Sequence, residues 1–269
     1  MPSDRVREMY DAYGVLTEAW DGENIHLGIF ESSEELFGAG AERATARLAD
    51  AADLRAGDAV LETACGIGGS ARFLARVYGV RVTATNVSEG QLALGRARTK
   101  AAGLADVVQF EPADFQALPF EDSGFDVYWC QEAWLYAADK HAVVSEAHRV
   151  LRPGGRLVVT DLTAADPMPP DFAADLLEAV ATPGFWRREE YENELAKAGF
   201  TDIGVEDWSE HAVPSWERVV GAFGERRDSF EERLGLEIVA STGRRFELWL
   251  EAFRRGYLAW TFFRARRRV

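Results

Sequence analysis

The sequence predicts a single α/β domain, a mostly parallel sheet covered by helices on both faces, and three observations predict it. Short apolar runs alternate with segments of helical period through the middle of the chain. A cluster of glycines, Gly66, Gly68 and Gly69, sits between the first such run and the first helical segment. The 269 residues, 47% hydrophobic and 28% charged, supply enough apolar material for one sizeable core.

Each element follows in order. The first strand is read over 59–63, and the glycine turn leads into a helix with Phe73, Leu74 and Val77 on one face, stopped by Gly79. The second strand covers 81–85. Ser88 and Gln91 then stand three residues apart, the spacing of a capping box, and open a helix that ends near Gly103. A third strand is expected over 107–111 and a fourth over 125–130. Val143, Ala147, Val150 and Leu151 recur at helical spacing before Pro153, Gly154 and Gly155 stop that helix. The fifth strand is 156–161, a helix runs over 189–198 to Gly199, a strand over 201–208, and the alternation of 257–266 makes a closing strand.

Three segments fall outside this winding. Residues 1–40 carry many aromatics without strand periodicity, and helix-like inserts occupy about 165–186 and 213–255. The expected organisation is an N-terminal lid segment, 1–40, ahead of a main domain, 41–269, with the inserts over the sheet's carboxyl edge, where α/β folds bind ligands.

Charge and composition exclude several classes. Against 30 lysines and arginines stand 45 aspartates and glutamates, a net charge of −15, which repels phosphate backbones and disfavours a nucleic-acid substrate. The basic run Arg264, Arg266, Arg267 and Arg268 reads as a solvated strand end. No apolar run approaches the roughly 18 residues of a membrane span, and the start lacks a secretion signal, so a cytoplasmic protein with no membrane partner is expected. Cys65 and Cys130 form neither a disulfide framework nor a zinc cluster, so no metal is expected.

A G-x-G-x-x-A spacing is shared with nicotinamide enzymes. Three carboxylate and amide positions point elsewhere. Glu62 precedes the loop, where it would oppose a pyrophosphate and attract an ammonium; Asn86 ends the second strand with Gln91 a turn later, suited to ribose hydroxyls; Asp114 follows the third strand, suited to an adenine amino group. The segments LETACGIGGSARFLA, TATNVSEGQL, PADFQALPFEDSGFDVYW and RVLRPGGRLVVTD resemble the successive motifs of class I S-adenosylmethionine-dependent methyltransferases over about residues 55–165. The resemblance implies a Rossmann-like fold with a seven-stranded sheet. It implies S-adenosylmethionine as cofactor, with contacts at Glu62, Ala64, Gly66, Asn86, Gln91, Asp114 and Phe115 and a methionine-side contact at Gln131. Ala64 replaces the usual glycine, and Asn86 the more common carboxylate.

The outer segments DGENIHLGIF, CQEAWLYAADK, DLTAADPMPP, TPGFWRREEY and GYLAWTFFRARR resemble sarcosine/dimethylglycine N-methyltransferases, which complete glycine betaine. That resemblance implies betaine biosynthesis and osmoprotection, with which the acidic composition agrees. Relatives acting on phosphoethanolamine, tocopherols or sulfur-containing acids share parts of it, so an S-methyltransferase on a methylthio carboxylic acid, of the dimethylsulfoniopropionate type, and a small-molecule O- or C-methyltransferase stay open. A carboxylate-bearing acceptor needs a cation, for which Arg187 and Arg188 are the candidates. A developing quaternary ammonium needs aromatic faces, each contact contributing about 0.5 to 2 kcal/mol, and Tyr10, Tyr13, Trp20, Trp134, Tyr136 and Trp186 are the candidates. Trp249 and Phe253 read as core. Methyl transfer is mainly a matter of positioning, and no nucleophile-and-base arrangement is evident. His26 and His211 lie in the outer segments and are the candidate catalytic histidines, while His141 and His148 read as surface or structural. The assembly expected is a monomer or homodimer.

Overall fold

The computed structural model describes Thr17 and residues 24–269. Tyr10, Tyr13 and Trp20 lie outside the described residues.

Seven strands form one sheet in the order β3-β2-β1-β4-β5-β7-β6. They are β1 (Ala59–Thr63), β2 (Arg81–Asn86), β3 (Val108–Pro112), β4 (Phe125–Gln131), β5 (Leu151–Ala164), β6 (Phe200–Asp207) and β7 (Leu258–Arg267). The first five run parallel to their neighbours, and β7 lies antiparallel between β5 and β6. Helices α1 (Phe37–Ala51), α2 (Gly69–Tyr78), α3 (Glu89–Ala101), α4 (Lys140–Val150), α5 (Pro170–Val180) and α6 (Arg188–Lys197) are followed by α7 (Ala212–Glu225), α8 (Arg227–Leu234) and α9 (Leu236–Arg254).

The central strands are apolar on both sides because both faces are covered. Val60, Val127, Trp129 and Val158 face one core with Leu48 of α1 and Leu74 of α2. Leu61, Tyr128, Cys130 and Val159 face the other with Val143 and Ala147 of α4. Alternation along each strand therefore fills two cores from one sequence.

Several boundaries shift. Residues 151–155 continue directly from α4 into β5, so Pro153, Gly154 and Gly155 begin the fifth strand instead of forming a separate turn. Val77 is 54% exposed, so α2 rests on Phe73 and Leu74 without it. Half of the expected capping box forms: Ser88 Oγ accepts from the Gln91 backbone N–H at 3.1 Å, while the Gln91 side chain turns to Asn86. Arg267 is more than a solvated strand end, since its guanidinium donates to the Ser123 hydroxyl and to the carbonyls of Arg149 and Leu151. Among the described residues no helix is long and apolar enough to cross a membrane.

Candidate active site

The carboxyl ends of β1, β2 and β4 open into a cleft of about 1310 Å³, counted out to its mouth. Its floor is the turn after β1. Gly66 takes a left-handed φ of 55°, and a Cβ there would come within 3.1 Å of the Ile25 side chain, so glycine keeps the backbone open to a ligand. Ala64 also adopts a positive φ, 54°, in the conformation that glycine holds without cost.

Three buried polar atoms around this floor have no partner among the described residues: Glu62 Oε2, Gln91 Nε2 and Gln131 Nε2. Buried orphans are rare in folded proteins, and here three of them surround one cleft. Burial pushes the Glu62 carboxyl up to about 7, against the opposing pull of His26, Arg72 and the Ala71 backbone N–H. A bound ammonium would offset that cost. Gln131 is locked in one orientation, because its Oε1 accepts from Ser70 Oγ at 2.8 Å and from Trp129 Nε1 at 3.0 Å, leaving the amide nitrogen as its free end. One acid, two amide donors and a bare glycine turn fit an amino-acid moiety joined to a ribose, which is the donor set S-adenosylmethionine requires.

Ala64, Gly66, Asn86, Gln91, Asp114, Phe115 and Gln131 all line the cleft, and Glu62 is buried with 1% exposure. Asn86 is hydrogen-bonded within the cleft wall. Its Nδ2 donates to Gln91 Oε1 at 2.7 Å and its Oδ1 accepts from the Ser88 N–H, so it fixes the Gln91 amide. Asp114 lies at the cleft edge, where its Oδ1 accepts from the Gln116 backbone N–H at 2.9 Å.

The opposite wall comes from the late inserts. Trp216 of α7 and Phe246 and Trp249 of α9 line it, with Tyr136 from the 3-10 turn after β4. Trp216 and Trp249 stack at 5.8 Å with 16° between their planes, and Phe246 lies 5.9 Å from Trp216. The Trp216 indole nitrogen is buried without a partner among the described residues.

The structure does not bring the proposed carboxylate cations to this cleft. Arg187 donates to the Ala165 carbonyl at 2.9 Å and Arg188 pairs with Glu192 at 2.9 Å, both exposed at the start of α6. Trp134 is buried behind the sheet edge, donating to the Tyr128 hydroxyl, and Trp186 packs on His141 and Tyr191. His211 sits in a 3-10 turn outside the cleft, with burial lowering its pKa. In each case the side chain finds a local partner closer than the ligand space. Trp249 is both core and cleft wall, whereas Phe253 is core.

His26 does line the cleft. Its Nδ1 lies 3.0 Å from Glu132 Oε2, and the same oxygen accepts from the Leu27 N–H at 3.3 Å. Glu132 Oε1 accepts from Thr160 Oγ1 at 2.6 Å and from Trp260 Nε1 at 2.9 Å. The Glu132 backbone is left-handed, φ 46°, held by its N–H on the Thr160 carbonyl at 2.7 Å. Sequence reasoning passed over Glu132, Trp216 and Phe246. An acid at the end of a buried strand was the available signal for the first, whereas an aromatic at helical spacing looks like ordinary core.

Comparison with known proteins agrees with this geometry. Residues 61–159 match the family described as "Methyltransferase domain". The chain is 32% identical over 95% of its length to a glycine/sarcosine/dimethylglycine N-methyltransferase of Actinopolyspora halophila, of which it spans 45%. It is 30% identical over 97% of its length to a sarcosine/dimethylglycine N-methyltransferase of Halorhodospira halochloris, spanning 95% of that protein. It is 34% identical over 96% of its length to a 27-O-demethylrifamycin SV methyltransferase of Amycolatopsis mediterranei, spanning 96%. Among solved structures, a candidate sarcosine dimethylglycine methyltransferase of Galdieria sulphuraria superposes with a TM-score of 0.89 at 25% identity, covering 96% of this chain and 97% of that one.

Proposed function

The chain belongs to the S-adenosylmethionine-dependent methyltransferases, and from that premise we propose that it methylates dimethylglycine, and sarcosine before it, at nitrogen, yielding glycine betaine. The observation that carries this reading is the aromatic wall of Tyr136, Trp216, Phe246 and Trp249 facing the cofactor turn. Aromatic faces stabilise an onium group, by about 0.5 to 2 kcal/mol each, and the charge grows on nitrogen as it is alkylated. Two relatives named for these acceptors, similar over nearly the whole chain, support it.

The cofactor supplies an electrophilic methyl group on a sulfonium. Glu62 would hold its ammonium, Gln131 its carboxylate, Gln91 its ribose, and Asp114 with Phe115 its adenine. The residues of the wall exclude water and confine the acceptor nitrogen, and such positioning is worth effective molarities of roughly 10⁵ M or more. The buried indole N–H of Trp216 is the donor offered to the acceptor's carboxylate.

A second reading is methylation of a hydroxyl on a larger acceptor. No lysine or arginine occurs among the described residues lining the cleft, and the wall is largely apolar. The rifamycin methyltransferase relative is named for an O-demethylated acceptor of this kind. Incubation with labelled S-adenosylmethionine and glycine, sarcosine, dimethylglycine, phosphoethanolamine, a methylthio hydroxy acid and a hydroxylated macrolactone decides between them. Labelled betaine from dimethylglycine supports the first reading; turnover of the macrolactone alone replaces it with the second.

A further inference from the structure

We propose that His26, oriented by Glu132, accepts the proton that the methyl acceptor must lose, so that the acceptor carries a dissociable hydrogen, as an ammonium or a hydroxyl, and is not a thioether. The inference rests on the methyl-transfer reading of the cleft and adds the acceptor's chemistry to it.

The geometry is specific. Glu132 is fixed by four donors contributed by the segment before α1, by β5 and by β7, with 11% of its side chain exposed. A carboxylate accepts and does not donate, so the 3.0 Å contact places the proton of neutral His26 on Nδ1. Nε2 is then the basic nitrogen, on a ring that lines the cleft, as do Gln131 and Tyr136. The His26 backbone is fixed as well, its N–H donating to Asn24 Oδ1 at 3.1 Å, while Asn24 donates to Thr45 and Ser70. Among the described residues the ionisable groups facing the ring are Glu132 at the end of β4 and Glu62 on β1. The left-handed backbone of Glu132, φ 46°, is strained for a non-glycine residue, and such strain gathers where a side chain must be aimed.

The step balances with dimethylglycine as follows. Its ammonium proton passes to Nε2, which frees the nitrogen lone pair. The N–C bond forms as the methyl C–S bond breaks, the electron pair stays on sulfur, and the imidazolium, paired with Glu132, later releases its proton to water. With a hydroxyl acceptor the O–H proton goes to Nε2 as the O–C bond forms. A thioether has no proton to give, and the dyad would have no part in its alkylation.

The test compares wild type with His26→Gln, using whichever amine or hydroxyl acceptor the panel identifies. The expected result is a kcat lower by roughly 10²- to 10⁴-fold at neutral pH, with adenosylhomocysteine affinity by calorimetry within threefold. The variant's rate should recover as pH rises towards the acceptor's own ionisation, which a merely structural defect would not produce. A kcat within threefold of wild type, or a loss that no pH restores, overturns the proposal. Glu132→Gln, checked for folding by its melting curve, should reproduce the pH-dependent loss in weaker form. Nitrogen-15 NMR of the histidines reads the dyad without turnover: Nδ1–H on neutral His26 supports it, and Nε2–H overturns it. A wild type that turns over no acceptor yet shows Nδ1–H would sink the acceptor reading while leaving the dyad standing, whereas turnover of a thioether alone overturns the base.

Discussion

Glu62 is a carboxyl that the free protein keeps buried and half-paired, and the consequence is a pH-dependent affinity. With its pKa near 7 through burial, the empty site holds a proton over part of the neutral range, and binding an ammonium expels it. The affinity for S-adenosylmethionine or adenosylhomocysteine is therefore expected to fall as pH drops below about 7, with proton release seen by calorimetry in buffers of different ionisation enthalpy. Glu62→Ala should weaken binding by about 2 kcal/mol or more, roughly thirtyfold in Kd. An unchanged Kd would remove Glu62 from the cofactor site. Trp216→Phe keeps an aromatic face but trades the indole for a smaller phenyl and deletes its N–H, so KM for the acceptor should rise several-fold while adenosylhomocysteine affinity stays constant. Asn86, Gln91, Asp114 and Gln131, singled out in the chain from strand ends or from the family motifs, line one cleft, and Glu62 is buried on β1. Arg187 and Arg188 were misleading because adjacency to Trp186 in sequence says nothing of which way a helix start faces.

Elements hold these side chains through local devices of modest energy. The Ser88 cap on α3 also sets the turn that delivers Asn86 and Gln91, since the Ser88 N–H donates to Asn86 Oδ1. Ser88→Ala should cost about 1 kcal/mol of stability, read as a fall of about 2 to 4 °C in Tm, together with weaker cofactor binding. An unchanged Kd would show that the cap serves the helix alone. Most strands were legible to within a residue or two because buried apolar runs and glycine stops are local signals. The start of β5 was not. Pro153, Gly154 and Gly155 are turn formers in isolation, yet Phe125 pairs with Leu151 and the segment is drawn into the sheet, with the β4 register shifting between Phe125 and Val127 to absorb the excess.

For the molecule as a whole, two buried carboxyls set a stability gradient. Burial pushes Asp161 up to about 7, as it does Glu62, and the Tyr191 hydroxyl on Asp161 Oδ2 at 2.6 Å only partly offsets it. Their folded pKa values lie above the unfolded values of roughly 4, so the stability they contribute is full below about pH 4 and is lost as pH rises through about 7. Urea midpoints of the cofactor-free protein should decline between pH 5 and 8, less steeply in Asp161→Asn; an identical slope in that variant would refute the assignment. The net charge of −15 should also make Tm rise with salt, as screening relieves self-repulsion. The amino-acid order by itself determined most strands and the glycine turn, because both rest on signals within a few residues of one another. Only the tertiary structure decided the acceptor side: Glu132 meets His26 across 106 positions, and α7 and α9 lay three aromatic rings over a cleft that no local pattern encodes.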